Sequence, residues 1–569
     1  MSSEGSDRVF VLGLDGATFD LIDSLIDKGR LPQFARLLRE SVRGPLASTT
    51  PPISAPAWTS FATGVNPGKH GIFGFTKKLP ESYEVRFVTA RDSQWAPIWW
   101  LLSERDRRVV VVNVPMTYPP TAVNGIMISG LDAPSVAAPF IYPAEMKKEI
   151  LDVVPEYQIS MHLGGALHNE KRRLRALENI HRDINNRLKL TLHLARNHPW
   201  DLFVVKFNNP DLVQHHFWRY MDPQHPHFDP RARGEFRNAI YDVYEHLDQV
   251  LAHVMAMLGP ETMLVVLSDH GAGPRIAKSF RINEWLRRKG LLETVSRQTV
   301  SPLKRMKRGG IELFLPLLLR YVPPRMKNRI RQALPNTLSK VASHFKFPDL
   351  DWSRTYAYGA EINGVRFNVK GRDPAGIIDQ DRDLESLKQR VIDGLQAEYD
   401  PESGTPIFEA VVRREEIYQG AASDEAPDLI LVPRDYHYAI SNRLFRHSDN
   451  GVGIVVNEPH WRGTSGRHRP EGILAIRSER GGEAGKTIEG ARLVDIVPTI
   501  LYRMDLPIPP DLDGRVLTEA FEPAYLEAHP VRYADRGVEG MWESRPGEVY
   551  SPEETQKIEE MLKGLNYIE

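Results

Sequence analysis

The stretch Met263-Leu-Val-Val-Leu-Ser-Asp-His-Gly271 decides the fold. Its first five residues are apolar, which reads as a strand buried on both faces of a helix-covered sheet. The run stops abruptly at Ser268, Asp269 and His270, and Gly271, Ala272 and Gly273 loosen the backbone behind them. In open α/β sheets the chemistry sits in the crevice beyond the carboxyl ends of the strands. A carboxylate beside an imidazole there suits a metal or an acid–base site. It equally suits an Asp that caps a turn with a His that follows by chance, so the partners elsewhere in the chain decide.

Val9 to Leu14 repeats the pattern and ends in Asp15-Gly16-Ala17. Thr18 can cap a helix bearing Phe19, Ile22, Leu25 and Ile26, which Gly29 closes, and a second short helix runs from Pro32 to Glu40. Arg108 to Val114 and Leu202 to Phe207 are further buried strands, with helix-like segments over 143–152 and 170–196 between them. Alternation of this kind predicts a parallel sheet with helices on its faces.

Prolines 51 and 52 hold the chain extended before Ser54, which can open a helix reaching Gly64 with Pro56 tolerated in its first turn. Serine at a helix N-terminus is ordinarily a cap. The same position also turns free N–H groups and the positive end of the dipole toward an approaching phosphate. Farther on, Asn209 is placed to cap a helix with Pro210 at its first position. Asp211 and His215 then fall four apart on one face, a spacing that is commonly just solvated but lets both hold one metal ion. His468 lies in a Gly/Ser-rich loop directly before the apolar run Ile473 to Ile476.

The 569 residues are 41% hydrophobic and 26% charged, a globular composition able to bury a large core. A net charge of −1 predicts no global attraction to nucleic acid. With no cysteine, disulfides, thiolate zinc sites, Fe–S clusters and cysteine nucleophiles are excluded, and any metal must be held by His, Asp and Glu. The opening residues carry no basic and apolar signal pattern, and no apolar run approaches a membrane span, so a cytoplasmic protein is expected.

The neutral balance conceals one strongly basic segment. Arg287 to Lys346 holds 15 Lys or Arg against two acids, Glu293 and Glu312. This predicts an inserted helical subdomain over 281–350, dividing a catalytic core into 1–280 and 351–525, with 526–569 as a tail. The insertion is expected to be a helical lid or docking arm over the active-site face that draws in an anionic substrate or holds the enzyme at an anionic membrane surface, where Ile311 to Leu319 could sit in the interface. Because it interrupts the chain soon after Asp269 and His270, its stem is expected beside them. A solvated basic face on a self-packed hairpin is the plainer alternative. After Tyr356 the sheet is expected to resume with Gly364 to Lys370 and Asp428 to Val432, followed by a short helix over Val494 to Tyr502. The tail should end in a helix capped by Ser551, with Pro552 first, Glu554 completing a capping box and Gly564 as the stop.

Collected in order, the strand-end and loop residues are Asp15, Ser54, Asp211, His215, Asp269, His270 and His468. Three carboxylates, three imidazoles and one hydroxyl are the inventory of a two-metal site with a serine poised to attack. The motifs that carry them are Leu12-Gly-Leu-Asp-Gly-Ala17, the Ser54 segment through His70-Gly-Ile72, Pro210-Asp-x-x-x-His215, Ser268-Asp-His-Gly271, and His468 before Pro470-Glu-Gly-Ile-Leu474. In this order they resemble the alkaline phosphatase superfamily, most closely its type I phosphodiesterase/nucleotide pyrophosphatase branch. The resemblance runs from Val9 to about Leu517, leaving out the basic insertion.

The resemblance implies an α/β fold with a central, mostly parallel sheet sandwiched by helices. It implies two divalent ions, zinc with manganese as the alternative, one held by Asp211, His215 and His468 and the other by Asp15, Asp269 and His270. Ser54, bound to the second, would be the nucleophile. The implied activity is hydrolysis of a small phosphorylated substrate, a diester or anhydride ahead of a monoester, through a phosphoserine intermediate.

Several departures stand out. Ser54 replaces the branch's threonine, and Phe75 stands where the branch has a phosphate-donating Asn, with Lys77 or Lys78 as candidate substitutes. No nucleoside-stacking residues are recognisable. Sulfatases of the superfamily carry an Arg after the nucleophile motif that Ser54-Ala-Pro-Ala-Trp58 lacks. Two rivals remain: a cofactor-independent phosphomutase, which shares the metal core and carries an inserted domain, and a non-catalytic protein docking on membranes or polyanions. The complete set of seven side chains argues against the second.

Overall fold

A computed structural model describes residues 7–161, 163, 169–276, 278–295, 350–444, 453–457, 464–479, 481–543, 547, 549–565 and 567. The apolar runs singled out in the sequence form the centre of a nine-stranded sheet. Met263–Leu267, Val9–Leu14, Leu202–Phe207, Val109–Val112 and Gly125–Ile128 lie side by side in that order and all run parallel. Val9 stands opposite both Leu202 and Met263, so the carboxyl ends of the three middle strands come out level. Glu471–Arg477 joins antiparallel beside Met263–Leu267 and carries Val42–Ala47 and Ala491–Arg492 beyond it, while Ile141–Tyr142 closes the other edge.

Both faces of the sheet are covered, as the unbroken apolar strands require. Phe10, Leu12 and Leu14 pack on one side against the helices Phe19–Asp27, Pro32–Glu40, Glu170–Asn197, Asn209–Met221 and Gly234–Met257. Val9 and Val11 pack on the other side against Ser54–Thr63, Ile98–Ser103 and Ile496–Arg503. The period of two along each strand sorts the side chains between these cores. Gly13 matters here, because a Cβ at that position would lie 2.5 Å from the Trp58 ring. Its absence lets the helix that begins at Ser54 rest directly on the first strand.

Some local expectations need correction. Asn209 is the first helical residue rather than the cap, because Asn208 before it already has α-region dihedrals (φ −82°, ψ −10°). The Asn209 amide instead donates to Asp183 Oδ2 at 3.0 Å. Pro32–Glu40 has no side-chain cap of its own, and Asp248 from the helix Gly234–Met257 accepts from the amides of Gln33 and Phe34 at 2.9 and 2.8 Å. A carboxylate at that helix N-terminus satisfies donors that a local residue would otherwise serve.

The strands after Tyr356 do not rejoin the large sheet. Ala357–Ala360, Gly364–Phe367, Leu429–Pro433 and Phe408–Arg413 form a separate four-stranded antiparallel sheet with its own core around Trp285, Phe367, Val391 and Leu429. A tight turn decides this: Ile362 and Asn363 both take positive φ (54° and 56°), which folds Gly364–Phe367 straight back on Ala357–Ala360. The chain returns to the large sheet only at Glu471–Arg477. The stem of the basic insertion belongs to this second lobe: Thr294 bridges Leu350, and Leu291, Leu292 and Leu350 are part of its core. The insertion's basic clusters and its apolar run lie outside the described residues. No described helix is long and apolar enough to cross a membrane.

The tail helix Pro552–Gly564 starts with the expected capping box, Ser551 N–H donating to Glu554 Oε2 at 2.8 Å and Glu554 N–H to Ser551 Oγ at 3.3 Å. It is no pendant extension. Ile558, Met561, Leu562 and Leu565 are buried in the core on the Phe10 face of the sheet.

Candidate active site

The seven side chains singled out in the sequence come together beyond the carboxyl ends of the central strands. Asp15 follows Leu14 directly, and its N–H continues the ladder to Phe207 C=O at 3.0 Å. Asp269 and His270 follow the strand Met263–Leu267. Ser268 shapes that turn, donating to Ala17 C=O and accepting from Ile473 N–H, both at 2.8 Å. Asp211 and His215 occupy the first turns of Asn209–Met221. His468 arrives on a two-stranded ribbon in which Gly466–Arg469 pairs antiparallel with Gly271–Pro274 and Ala272 stands opposite His468. The ribbon stacks the His468 ring on His270, centroids 3.6 Å apart.

Ser54 is not a cap. It is the first residue of the helix Ser54–Thr63, with Ile53 in the cap position. Its hydroxyl lies 3.2 Å from His270 Nε2, in a fully buried position. The first intrahelical bond runs from Ala57 N–H to Ile53 C=O, so the amides of Ser54 and Ala55 belong to the open first turn beside that hydroxyl.

The three imidazoles share one arrangement. His215 Nδ1 meets Gly466 C=O at 3.0 Å, His468 Nδ1 meets Pro52 C=O at 2.7 Å, and His270 Nδ1 meets Gly271 C=O at 2.9 Å. A carbonyl only accepts, so each Nδ1 carries a hydrogen and each ring turns its Nε2 inward. His215 Nε2 and His468 Nε2 are 3.0 Å apart and reach Asp211 Oδ1 at 3.1 and 3.3 Å. His270 Nε2 faces Asp15 Oδ1 and Asp269 Oδ2, each at 3.4 Å. Burial and the neighbouring His270 push His468 down to about 4, which keeps its ring neutral.

Donor atoms of Asp211, His215 and His468 all lie within 4.8 Å of one another, and so do those of Asp15, Asp211 and His270. Asp211 therefore stands between two potential cation positions, whereas the sequence motifs assign it to one. Asp269 is fully buried and belongs to neither of these groups, its Oδ2 facing His270 and its Oδ1 accepting from Gly16 N–H at 3.4 Å. Neither Asp15 Oδ1 nor Asp269 Oδ2 accepts a hydrogen bond among the described residues. Burial, reinforced by the charge of Asp15, raises Asp269 well above the usual carboxylate range. Although burial opposes it, contact with His215 and His468 holds Asp211 well below that range.

Two residues of the site escape the sequence motifs. Lys206, buried in the strand Leu202–Phe207, places its ammonium against Asp15 Oδ2 and 5.7 Å from the Trp58 ring centre. A lone charge within Leu202-Phe-Val-Val-Lys-Phe207 is the signal that could have found it, since a lysine buried on a central strand needs a carboxylate partner. The other is Tyr567 in the tail, whose hydroxyl donates to Asp211 Oδ2 at 2.9 Å and accepts from Ser54 at 3.5 Å. No motif pointed to it.

Lys77 and Lys78 are not substitutes for the missing amide at Phe75. They pair with Glu425 (2.6 Å) and Asp373 (3.0 Å) of the second lobe. His70 is structural: it is buried against Ser60 Oγ at 3.0 Å, accepts from Ile72 N–H, and burial lowers it to about 3. A third His/carboxylate group, Glu149 with His193 and His198, is half-exposed and ties the helix Met146–Val153 to the end of Glu170–Asn197.

Three buried carboxylates and three inward-facing imidazole nitrogens share one ammonium, that of Lys206. Two carboxylate oxygens without a donor and two imidazole nitrogens at contact distance are costly unless cations lie between them. The donor set, oxygen and imidazole nitrogen without sulfur, fits divalent zinc or manganese.

No curated protein sequence matches the chain. Among solved structures, the alkaline phosphatase PafA aligns over 92% of this chain and 100% of its own, with a TM-score of 0.51 and 15% identity. Phosphonoacetate hydrolase from Sinorhizobium meliloti 1021, solved in complex with phosphonoformate, aligns over 88% of this chain and 95% of its own, with a TM-score of 0.51 and 13% identity. At such identities the likeness is one of fold, and the fold is alkaline phosphatase-like. The profile of the type I phosphodiesterase / nucleotide pyrophosphatase family matches residues 9–452, spanning Asp15, Ser54, Asp211, His215, Asp269 and His270 and ending before His468. The chain belongs to the type I phosphodiesterase/nucleotide pyrophosphatase family.

Proposed function

We propose that this protein is a two-metal phosphohydrolase that cleaves phosphodiester or phosphoanhydride bonds through a phosphoserine at Ser54. The family membership supports a phosphoric ester hydrolase. The observation that carries the finer reading is the convergence of three inward-facing imidazole Nε2 atoms and three buried carboxylates on one serine hydroxyl. Asp211, His215 and His468 would hold one ion, and Asp15, Asp269 and His270 the other, with Asp211 within reach of both. When bound, divalent cations lower the pKa of a hydroxyl they contact and neutralise charge on the phosphoryl oxygens.

The chain's own residues supply position. The helix rooted on Gly13 presents Ser54 Oγ at its N-terminus, where the open amides and the dipole favour an anionic phosphoryl group. Attack by Ser54 Oγ on phosphorus displaces the leaving-group oxygen, which departs protonated as an alcohol or as phosphate. Water then cleaves the Ser54–phosphorus bond and restores the hydroxyl. Lys206 pairs with Asp15 and fixes its carboxylate in the buried floor.

Protein purified without chelator is expected to carry two equivalents of metal per chain by elemental analysis. EDTA should remove both together with hydrolysis of bis(4-nitrophenyl) phosphate, and zinc or manganese should restore it. His468→Ala should leave one equivalent. Activity that survives complete removal of metal contradicts the proposal.

A further inference from the structure

We infer that Tyr567 is a catalytic residue: its phenol, delivered by the C-terminal tail, donates a hydrogen bond to a phosphoryl oxygen on Ser54. The inference rests on the reading of Ser54 as phosphoryl acceptor. The hydroxyl lies 3.5 Å from Ser54 Oγ, close enough to meet a phosphoryl group carried there, and its single hydrogen, directed here at Asp211 Oδ2 2.9 Å away, turns to that group when Asp211 is engaged by a cation. An oxygen of that group therefore falls within hydrogen-bond reach of the phenol.

The ring is held for this task. It lies flat on Phe75, with centroids 4.8 Å apart and planes 11° from parallel. It meets His468 and His215 edge-on, at 5.9 and 6.4 Å. The ring thus forms a wall of the site, and its hydroxyl is the part that reaches the reacting side. Phe75, which has no donor of its own, serves as the platform on which the donor from the tail rests.

The tail is anchored well enough to fix that geometry. Tyr550 hydroxyl donates to Asp132 C=O at 2.6 Å and its ring stacks on Tyr118. The capping box starts the helix, Ile558, Met561 and Leu562 bury its inner face, and Tyr567 N–H returns to Leu562 C=O at 2.9 Å. The phenol gives no proton away in the reaction; it stabilises charge by a fixed donor, the kind of contact whose loss lowers kcat.

The test uses full-length, metal-loaded protein carrying Tyr567→Phe, which removes one oxygen and keeps the stack on Phe75. For bis(4-nitrophenyl) phosphate, kcat should fall about 10²-fold while KM changes little. Calorimetric titration with inorganic phosphate, carried out in a Ser54→Ala background so that no phosphoryl transfer intervenes, should show about tenfold weaker binding when Tyr567→Phe is added. Deleting residues 566–569 should reproduce both losses. A wild-type kcat in Tyr567→Phe overturns the inference, as does a deletion that raises kcat, which would make the tail a plug. If Ser54→Ala itself stayed active, the reading of Ser54 would fall. The phosphate titration would still report whether Tyr567 touches the anion.

Discussion

Ser54→Ala is expected to retain less than about one thousandth of the wild-type kcat, a loss of at least ~4 kcal/mol in transition-state stabilisation. Metal content and thermal stability should stay near wild type. The side chain makes no helix cap, and its hydrogen-bonding neighbours among the described residues are His270 and Tyr567, both belonging to the candidate site. That separation makes the variant informative: loss of rate without loss of metal assigns the hydroxyl to chemistry rather than to structure. If the alanine protein kept more than about a tenth of the rate, a cost of only ~1.4 kcal/mol, nucleophilic attack by Ser54 would be wrong.

Asp211→Asn should be as damaging by a different route. Its carboxylate contacts both His215 and His468 and also lies within reach of Asp15 and His270. Replacing it withdraws negative charge from both cation positions at once. Elemental analysis is expected to fall from two equivalents to below one, with kcat/KM down by about 10³-fold or more. Asp269→Asn is the contrast, since among the three imidazoles Asp269 meets only His270, and it should cost a single equivalent. If Asp211→Asn held both metals, the shared position of this carboxylate would be refuted.

The central sheet and most of the candidate site's placement were legible in the sequence for a definite physical reason. A strand buried on both faces is almost wholly apolar, Lys206 being the exception here, so the polar residues directly after it mark the carboxyl end, and that is where Asp15, Ser268 with Asp269, and Asn208 stand. Helical spacing alone put Asp211 and His215 on one face. Ser54 was legible as a helix start, but only the fold shows its hydroxyl turned to His270 and Tyr567 rather than capping the helix.

What was not legible depends on contacts between distant parts of the chain. Tyr567 meets Ser54 across 513 residues, and nothing around it marks a phenol destined for a crevice. The strands at Gly364–Phe367 and Leu429–Pro433 read like core strands, yet the hairpin at Ile362 and Asn363 commits them to a second sheet. Strand composition reports burial, and it does not report which sheet provides it. The sharing of Asp211 between two groups is likewise a property of three-dimensional distance.

The central claim is that a phosphoryl group passes through Ser54. Metal-loaded enzyme mixed with bis(4-nitrophenyl) phosphate, quenched in acid within the first turnover and digested for mass spectrometry, should yield the peptide spanning Ser54 with an added phosphoryl ester on that serine. The adduct should disappear on longer incubation without fresh substrate. Rapid turnover with unmodified Ser54 at every quench time, in protein that releases the first equivalent of 4-nitrophenol in a burst, would contradict the account.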